Sequence, residues 1–273
     1  MRARLSAIAL ASLLASACAT SSELELTDQE EAVAEALESR TIAPATAEER
    51  AAIENQDLLT QAAFWAEAYE LNPGDREAAF KLSSVLRRLN SAPRAAEVAR
   101  QALALYPDDA ELQTAFGLAL TAAGRGAQAV EPLSRAHQNA PDDWRILNAL
   151  GVALDQSGRQ DRARARFEQA LSASGGAPAV LNNLALSVML AGDPERAEQL
   201  LRRAADDETA GPEIRQNLAL ALALQGRFDE AEDIALVDST AEMAQQNLDY
   251  VRALMSSGRS YDRLREVDLR GMR

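Results

Sequence analysis

The sequence predicts an all-α solenoid of about five to six helical hairpins, closed by a C-terminal capping helix. Three observations carry this. A period of 34 residues divides the chain into windows that start at Ile42, Arg76, Ala110, Trp144, Pro178 and Pro212 with no gap between them. A fixed period of that length marks stacked units, none of which can bury its apolar face alone. Within the windows small residues recur at the same offsets. Finally, 47% hydrophobic residues with only 4% aromatics suit a long array of thin layers better than one thick core.

Position 20 reads Gln61, Ala95, Ala129, Ala163, Ala197 and Ala231; position 27 reads Ala68, Ala102, Ala136, Ala170 and Ala204 before failing at Asp238. Position 8 is Ser83, Gly117, Gly151, Ala185 and Ala219, beside a large residue at position 7 (Leu82, Phe116, Leu150, Leu184, Leu218). Two helices of one unit cross closely only if a large side chain on one enters a hole left by a small one on the other. Gly124, Gly158, Gly192 and Gly226 at position 15 suit a left-handed helix end, and Pro73, Pro107 and Pro141 at position 32 cannot continue a second helix. These columns resemble the tetratricopeptide (TPR) repeat, with its W-x2-L-G-x2-Y…A-x3-F…P pattern. The resemblance implies a TPR solenoid that binds protein.

In chain order, residues 1–17 hold Arg2, Arg4 and an apolar run from Leu5 to Ala17, too short for the roughly 20 residues of a membrane span. They read as a signal peptide. Cys18, the only cysteine, follows Leu14-Ala15-Ser16-Ala17, which resembles a bacterial lipobox; the resemblance implies lipid on Cys18 and, with Ala19 next, sorting to the periplasmic face of the outer membrane. Ala15 stands where lipoboxes place a large aliphatic, and Ala15-Ser16-Ala17 also fits ordinary cleavage, which would leave a soluble periplasmic protein with a free thiol. Residues 18–41 then comprise the lipidated N-terminus, a polar tether and a helix opened by Thr27-Asp28-Gln29-Glu30 at capping-box spacing.

The array covers 42–239. Its first window is degenerate: Thr46-Ala47-Glu48-Glu49 repeats the capping-box spacing where Leu and Gly belong, and the good second helix runs from Asp57 to Leu71 with Trp65 at position 24. Asp75, Asp109 and Asp143 stand at first-helix starts, and Asp193-Pro194 at a second-helix start, where a carboxylate caps free N–H groups. The run Leu218 to Leu224 alternates with period two and alone would pass for a strand, but the repeat register makes it helix. The capping helix spans 240–257 with Ala244, Leu248, Val251 and Met255 as its apolar stripe, and 258–273 is an Arg-rich tail.

The net charge of -14 argues against nucleic acid as a partner. Chemistry is scarce: one His (His137, expected on the surface of a second helix), one Cys, no metal-ligand spacing, no phosphate loop. The expectation is no enzyme, no cofactor and no metal.

A narrower resemblance lies near the C-terminus. Arg215–Glu232 (RQNLALALALQGRFDEAE) and Asn247–Met255 (NLDYVRALM) look like the C-terminal part of the TadD family, TPR proteins, commonly lipoproteins, of tight-adherence (Flp) pilus assembly. The resemblance implies a pilotin-like accessory whose partner is an outer-membrane secretin or another pilus-assembly component. A generic periplasmic adaptor for cell-wall hydrolases or outer-membrane assembly fits the array equally well.

In TPR proteins positions 2, 5, 9, 12 and 13 of first helices tend to line the groove. Carried over, this puts Asn148, Val152, Asn182, Leu186, Leu190, Gln216, Leu220 and Leu224 there. Amides alternate with large aliphatics, so the expected ligand is a partner segment whose backbone meets Asn148, Asn182 and Gln216. The tail, with Leu264, Val267 and Leu269, or a second copy are alternative occupants of the same groove.

Overall fold

The computed structural model describes residues 45–256. The expected signal segment, Cys18, the expected tether and helix of 18–41, and the expected tail lie outside the described residues. What is described is thirteen helices: α1 (Ala47–Ile53), α2 (Leu58–Leu71), α3 (Arg76–Arg88), α4 (Ala92–Leu105), α5 (Ala110–Ala122), α6 (Gly126–Asn139), α7 (Trp144–Gln156), α8 (Gln160–Ser174), α9 (Pro178–Leu190), α10 (Pro194–Ala205), α11 (Pro212–Leu224), α12 (Phe228–Ala235) and α13 (Ala241–Ser256). Five first helices, α3, α5, α7, α9 and α11, begin at repeat position 1. The fold is an all-α TPR solenoid.

Caps set these boundaries. Asp75, Asp109 and Asp143 accept from the backbone N–H of Ala78, Leu112 and Arg145, and Asp193 from Arg196. Where the carboxylate is missing, before α9 and α11, Pro178 and Pro212 occupy the first turn, which needs no N–H there. In the degenerate first window Thr46 and Glu49 close a reciprocal capping box. First helices end alike. In the central repeat Gly158 has φ 74, its N–H donates to Asp155 O (2.9 Å), and the Arg159 N–H reaches back to Leu154 O (2.9 Å). This is the double bond of a Schellman end, which needs a left-handed residue. Asn90 takes that conformation (φ 58) in the second window, the non-glycine best suited to it.

Packing follows the columns. Ala95, Ala129, Ala163, Ala197 and Ala231 are each fully buried. Phe167 is 1% exposed and lies so close over Gly151 that a Cβ there would stand 2.5 Å from its ring, and Leu133 fills the same hole over Gly117. Gln61 breaks the alanine column for a reason: its Nε2 donates to Glu54 O (3.2 Å) and Gln56 O (2.7 Å), satisfying carbonyls where the short α1 ends.

Two sequence expectations need correction. His137 is not a free surface residue; it is half-buried on α6, with Nδ1 enclosed and unpartnered among the described residues, because position 28 adjoins the fully buried Ala136 and so lies at the edge of the packed face. On α13 the inward stripe is Ala244, Leu248, Val251 and Leu254, with Met255 only half-buried. At 100° per residue Met255 stays within the angular span of Ala244, Leu248 and Val251, packed against the core, and Leu254 widens the buried face on one side.

Arginines tie consecutive repeats. Arg50 reaches Asp75 and Glu77 on α3; Arg76 reaches Asp109 (2.7 Å) and Glu111 on α5. Burial pushes the Asp75 and Asp109 carboxyls up, but the hydrogen bonds from Arg50 and Arg76 and from the capped N–H groups outweigh it, leaving both below the usual carboxylate range. A depressed folded-state pKa means stability present above the unfolded value and lost as pH falls through the folded one. The melting temperature is therefore expected to fall as pH drops below about 4, and Arg50→Ala with Arg76→Ala should flatten that acid limb. An acid limb of the same steepness in both proteins would show that these pairs contribute nothing.

Candidate functional site

The first helices α9 and α11 stand side by side, and α13 packs on α11 and α12, so that α9, α11 and α13 line a cleft of about 250 Å3. Asn182 and Leu186 enter it from α9, and Gln216 and Leu220 from α11. The far wall is α13, which contributes Met243, Asn247, Leu248 and Val251. This helix closes the array and also forms one side of the cleft, because its apolar stripe is docked while Met243 and Asn247 on its flank stay exposed. Among the described residues Glu213 is the only charged one in the lining.

Polar groups in the cleft are organised across repeats. Asn183 Nδ2 donates to Asn148 Oδ1 (3.1 Å), and one repeat on Asn217 Nδ2 donates to Asn182 Oδ1 (2.8 Å). Columns 5 and 6 thus form an amide ladder along α7, α9 and α11. The oxygens of Asn148 and Asn182 are used by the ladder, which leaves their NH2 ends, without a hydrogen bond among the described residues, as the donors on offer to a ligand carbonyl. Beside them Leu186 and Leu220 are half-buried and form an apolar shelf.

Of the groove residues expected from sequence, Asn182, Leu186, Gln216 and Leu220 come together in this cleft. Asn148 and Val152 are half-buried on α7, one repeat away and outside its lining, and Leu190 is half-buried at the end of α9. Leu224 is a correction: it is 5% exposed and belongs to the main hydrophobic core, since the end of α11 is folded over by the turn into α12. Asn183, Asn217, Met243, Asn247 and Glu213 were missed. For Asn183 and Asn217 the signal was present, a repeated amide directly after a groove position; the α13 residues carry none, because they belong to no repeat column.

Among the described residues no group of three or more His, Cys, Asp or Glu is placed to hold a metal, and no helix is long and apolar enough to cross a membrane. Models of the tetratricopeptide repeat match residues 50–110, 114–178, 156–213 and 188–258. The chain belongs to the TPR family. Among curated proteins the sequence finds no match. The TPR array is similar to the crystal structure of PilW, described as a widely conserved type IV pilus biogenesis factor, at a TM-score of 0.61 and 21% identity over 71% of this chain and 92% of that one. A thermophilic TPR protein of Thermus thermophilus aligns at 0.54 and 22% over 60% of this chain and 90% of its own. The human IFIT1 dimer with m7Gppp-AAAA aligns at 0.58 and 16%, over 73% of this chain and 51% of that one. At these identities the likeness is one of fold.

Proposed function

We propose that this TPR protein is a non-enzymatic scaffold of a Flp-type pilus machine, anchored by lipid on Cys18 to the periplasmic face of the outer membrane. It holds a segment of a secretin or another assembly component in the cleft between α9, α11 and α13. One observation supports this reading above the rest: the two stretches that resemble TadD proteins, Arg215–Glu232 and Asn247–Met255, cover most of α11 and of α12, and the part of α13 that carries Asn247, Leu248 and Val251 into the cleft. The family likeness therefore falls on two of the three cleft walls. The cleft suits a peptide, with amide NH2 donors for a backbone and Leu186 and Leu220 for its apolar side chains.

Cys18→Ser is expected to move the protein from the membrane to the soluble periplasmic fraction and to weaken pilus assembly, and deletion of the gene to deplete the secretin from the outer membrane. Membrane fractionation that does not change, with no labelling by a fatty-acid analogue, would remove the anchor. Secretin levels that stay normal in the deletion strain would remove the pilotin-like role and leave a general envelope adaptor.

A further inference from the structure

A second concavity, of about 340 Å3, lies between the second helices α6 and α8 and shares no residue with the cleft. Its floor is apolar, made by the half-buried Val130 on α6 with the core residues Leu150 and Leu154 of α7 beneath it, 3% and 5% exposed; its rim carries Arg159, Arg162 and Arg166. Arg162 and Arg166, one turn apart, share one face of α8, and Arg159, its N-cap, lines the same cavity. Asp161 and Glu168 are spaced with Arg164 on a different face, so no carboxylate of α8 lies on the arginine stripe. The one acid on the neighbouring second helix α6, Glu131, is taken by Arg135.

Arginines that meet a neighbouring acid are neutralised, as Arg227 with Glu198 and Glu230, Arg215 with Asp238 and Arg100 with Glu97, while single arginines such as Arg94 and Arg203 stand without an ion pair among the described residues. Here three unpaired arginines converge on one cavity. Among the described residues the side chains of Arg159 and Arg162 make no ion pair or hydrogen bond, and Arg166 donates only to Gln169 Oε1 (2.8 Å). In a chain of net charge -14, carboxylates to quench them were abundant. Three guanidiniums left open around an apolar floor call for an occupant that brings both carboxylates and a hydrophobic group.

We propose that this cavity docks an acidic, amphipathic segment of a partner protein. Its carboxylates meet the forks of Arg159, Arg162 and Arg166, which match planar carboxylate geometry, and one aliphatic or aromatic side chain rests on Val130, Leu150 and Leu154. A simple anion would leave that floor unused. Nucleic acid would meet the repulsion of the strongly acidic remainder of the chain.

The test is to pan a display library of random peptides on the full chain and measure affinities of the enriched peptides. They are expected to carry carboxylates beside an apolar residue, and to bind more weakly as salt rises. In Arg162→Gln with Arg166→Gln they should lose at least about tenfold in affinity, the weight of one or two charge-assisted contacts. Arg162→Lys with Arg166→Lys, which keeps charge and loses the fork, should fall between. Leu186→Glu with Leu220→Glu in the cleft should leave this binding untouched, which separates it from the function proposed above. The idea is overturned if enrichment is absent or independent of acid, if affinity is the same in the glutamine variant, or if the arginines instead govern adsorption to phosphatidylglycerol vesicles.

Discussion

Phe167→Ala is expected to cost about 3–5 kcal/mol, as truncation of a fully buried aromatic does. The ring is 1% exposed and sits in the hole that Gly151 leaves on α7, so its loss opens a void between two helices whose spacing is set by that contact. The converse change, Gly151→Leu, pushes a side chain into the ring and should cost roughly 1–3 kcal/mol or more by overpacking. Joined in one chain, the two should cost less than their sum, because the new leucine occupies the space the phenylalanine vacated. Repeats stabilise one another only through their neighbours, so damage at the fourth window weakens coupling on both sides. Thermal and urea melts followed by circular dichroism read this out. Costs that simply add, or a Phe167→Ala protein that melts like the parent, would show that this pair does not set the interhelical distance.

Leu186→Glu with Leu220→Glu is expected to weaken capture of the partner segment by at least about a hundredfold, the combined weight of two interface anchors. Both side chains line the cleft, and two new carboxylates would join Glu213 there, making it anionic and wet. Since the leucines are half-buried rather than enclosed, the melting temperature should drop by only a few degrees, on the order of 4–8 °C for each kcal/mol in a small domain and less in a larger one. A collapse of stability would place Leu186 and Leu220 in the core with Leu224. Retained affinity would move the partner to another surface. Asn182→Ala offers a gentler check: it removes the acceptor of the Asn217 amide as well as a free NH2, and should weaken binding less than the double glutamate.

The repeat could be read with little ambiguity because its determinants are local. A left-handed turn demands Gly158 or Asn90 at position 15, a free helix N-terminus attracts Asp75, Asp109 and Asp143, and a close crossing excludes anything larger than Ala163. Exceptions had local chemistry too, but chemistry that only coordinates reveal: Gln61 stands in an alanine column because it serves the carbonyls of α1. The site was half legible. Carrying family groove positions forward found Asn182, Leu186, Gln216 and Leu220, and also Leu224, which the array keeps for its own core.

By itself, then, the sequence determined the period, the register, the caps and the small-residue holes, since each depends on the conformational preference or size of residues within one or two turns. Tertiary structure alone decided that α13, docked on α11 and α12, faces α9 and makes a cleft of an open helix face, that Asn183 and Asn217 bond to the previous repeat, and that Arg159, Arg162 and Arg166 surround an apolar floor. These are contacts between neighbouring helices, the amide bonds joining residues 35 apart. No local preference encodes them, because their energy arises only when stacking brings the helices together.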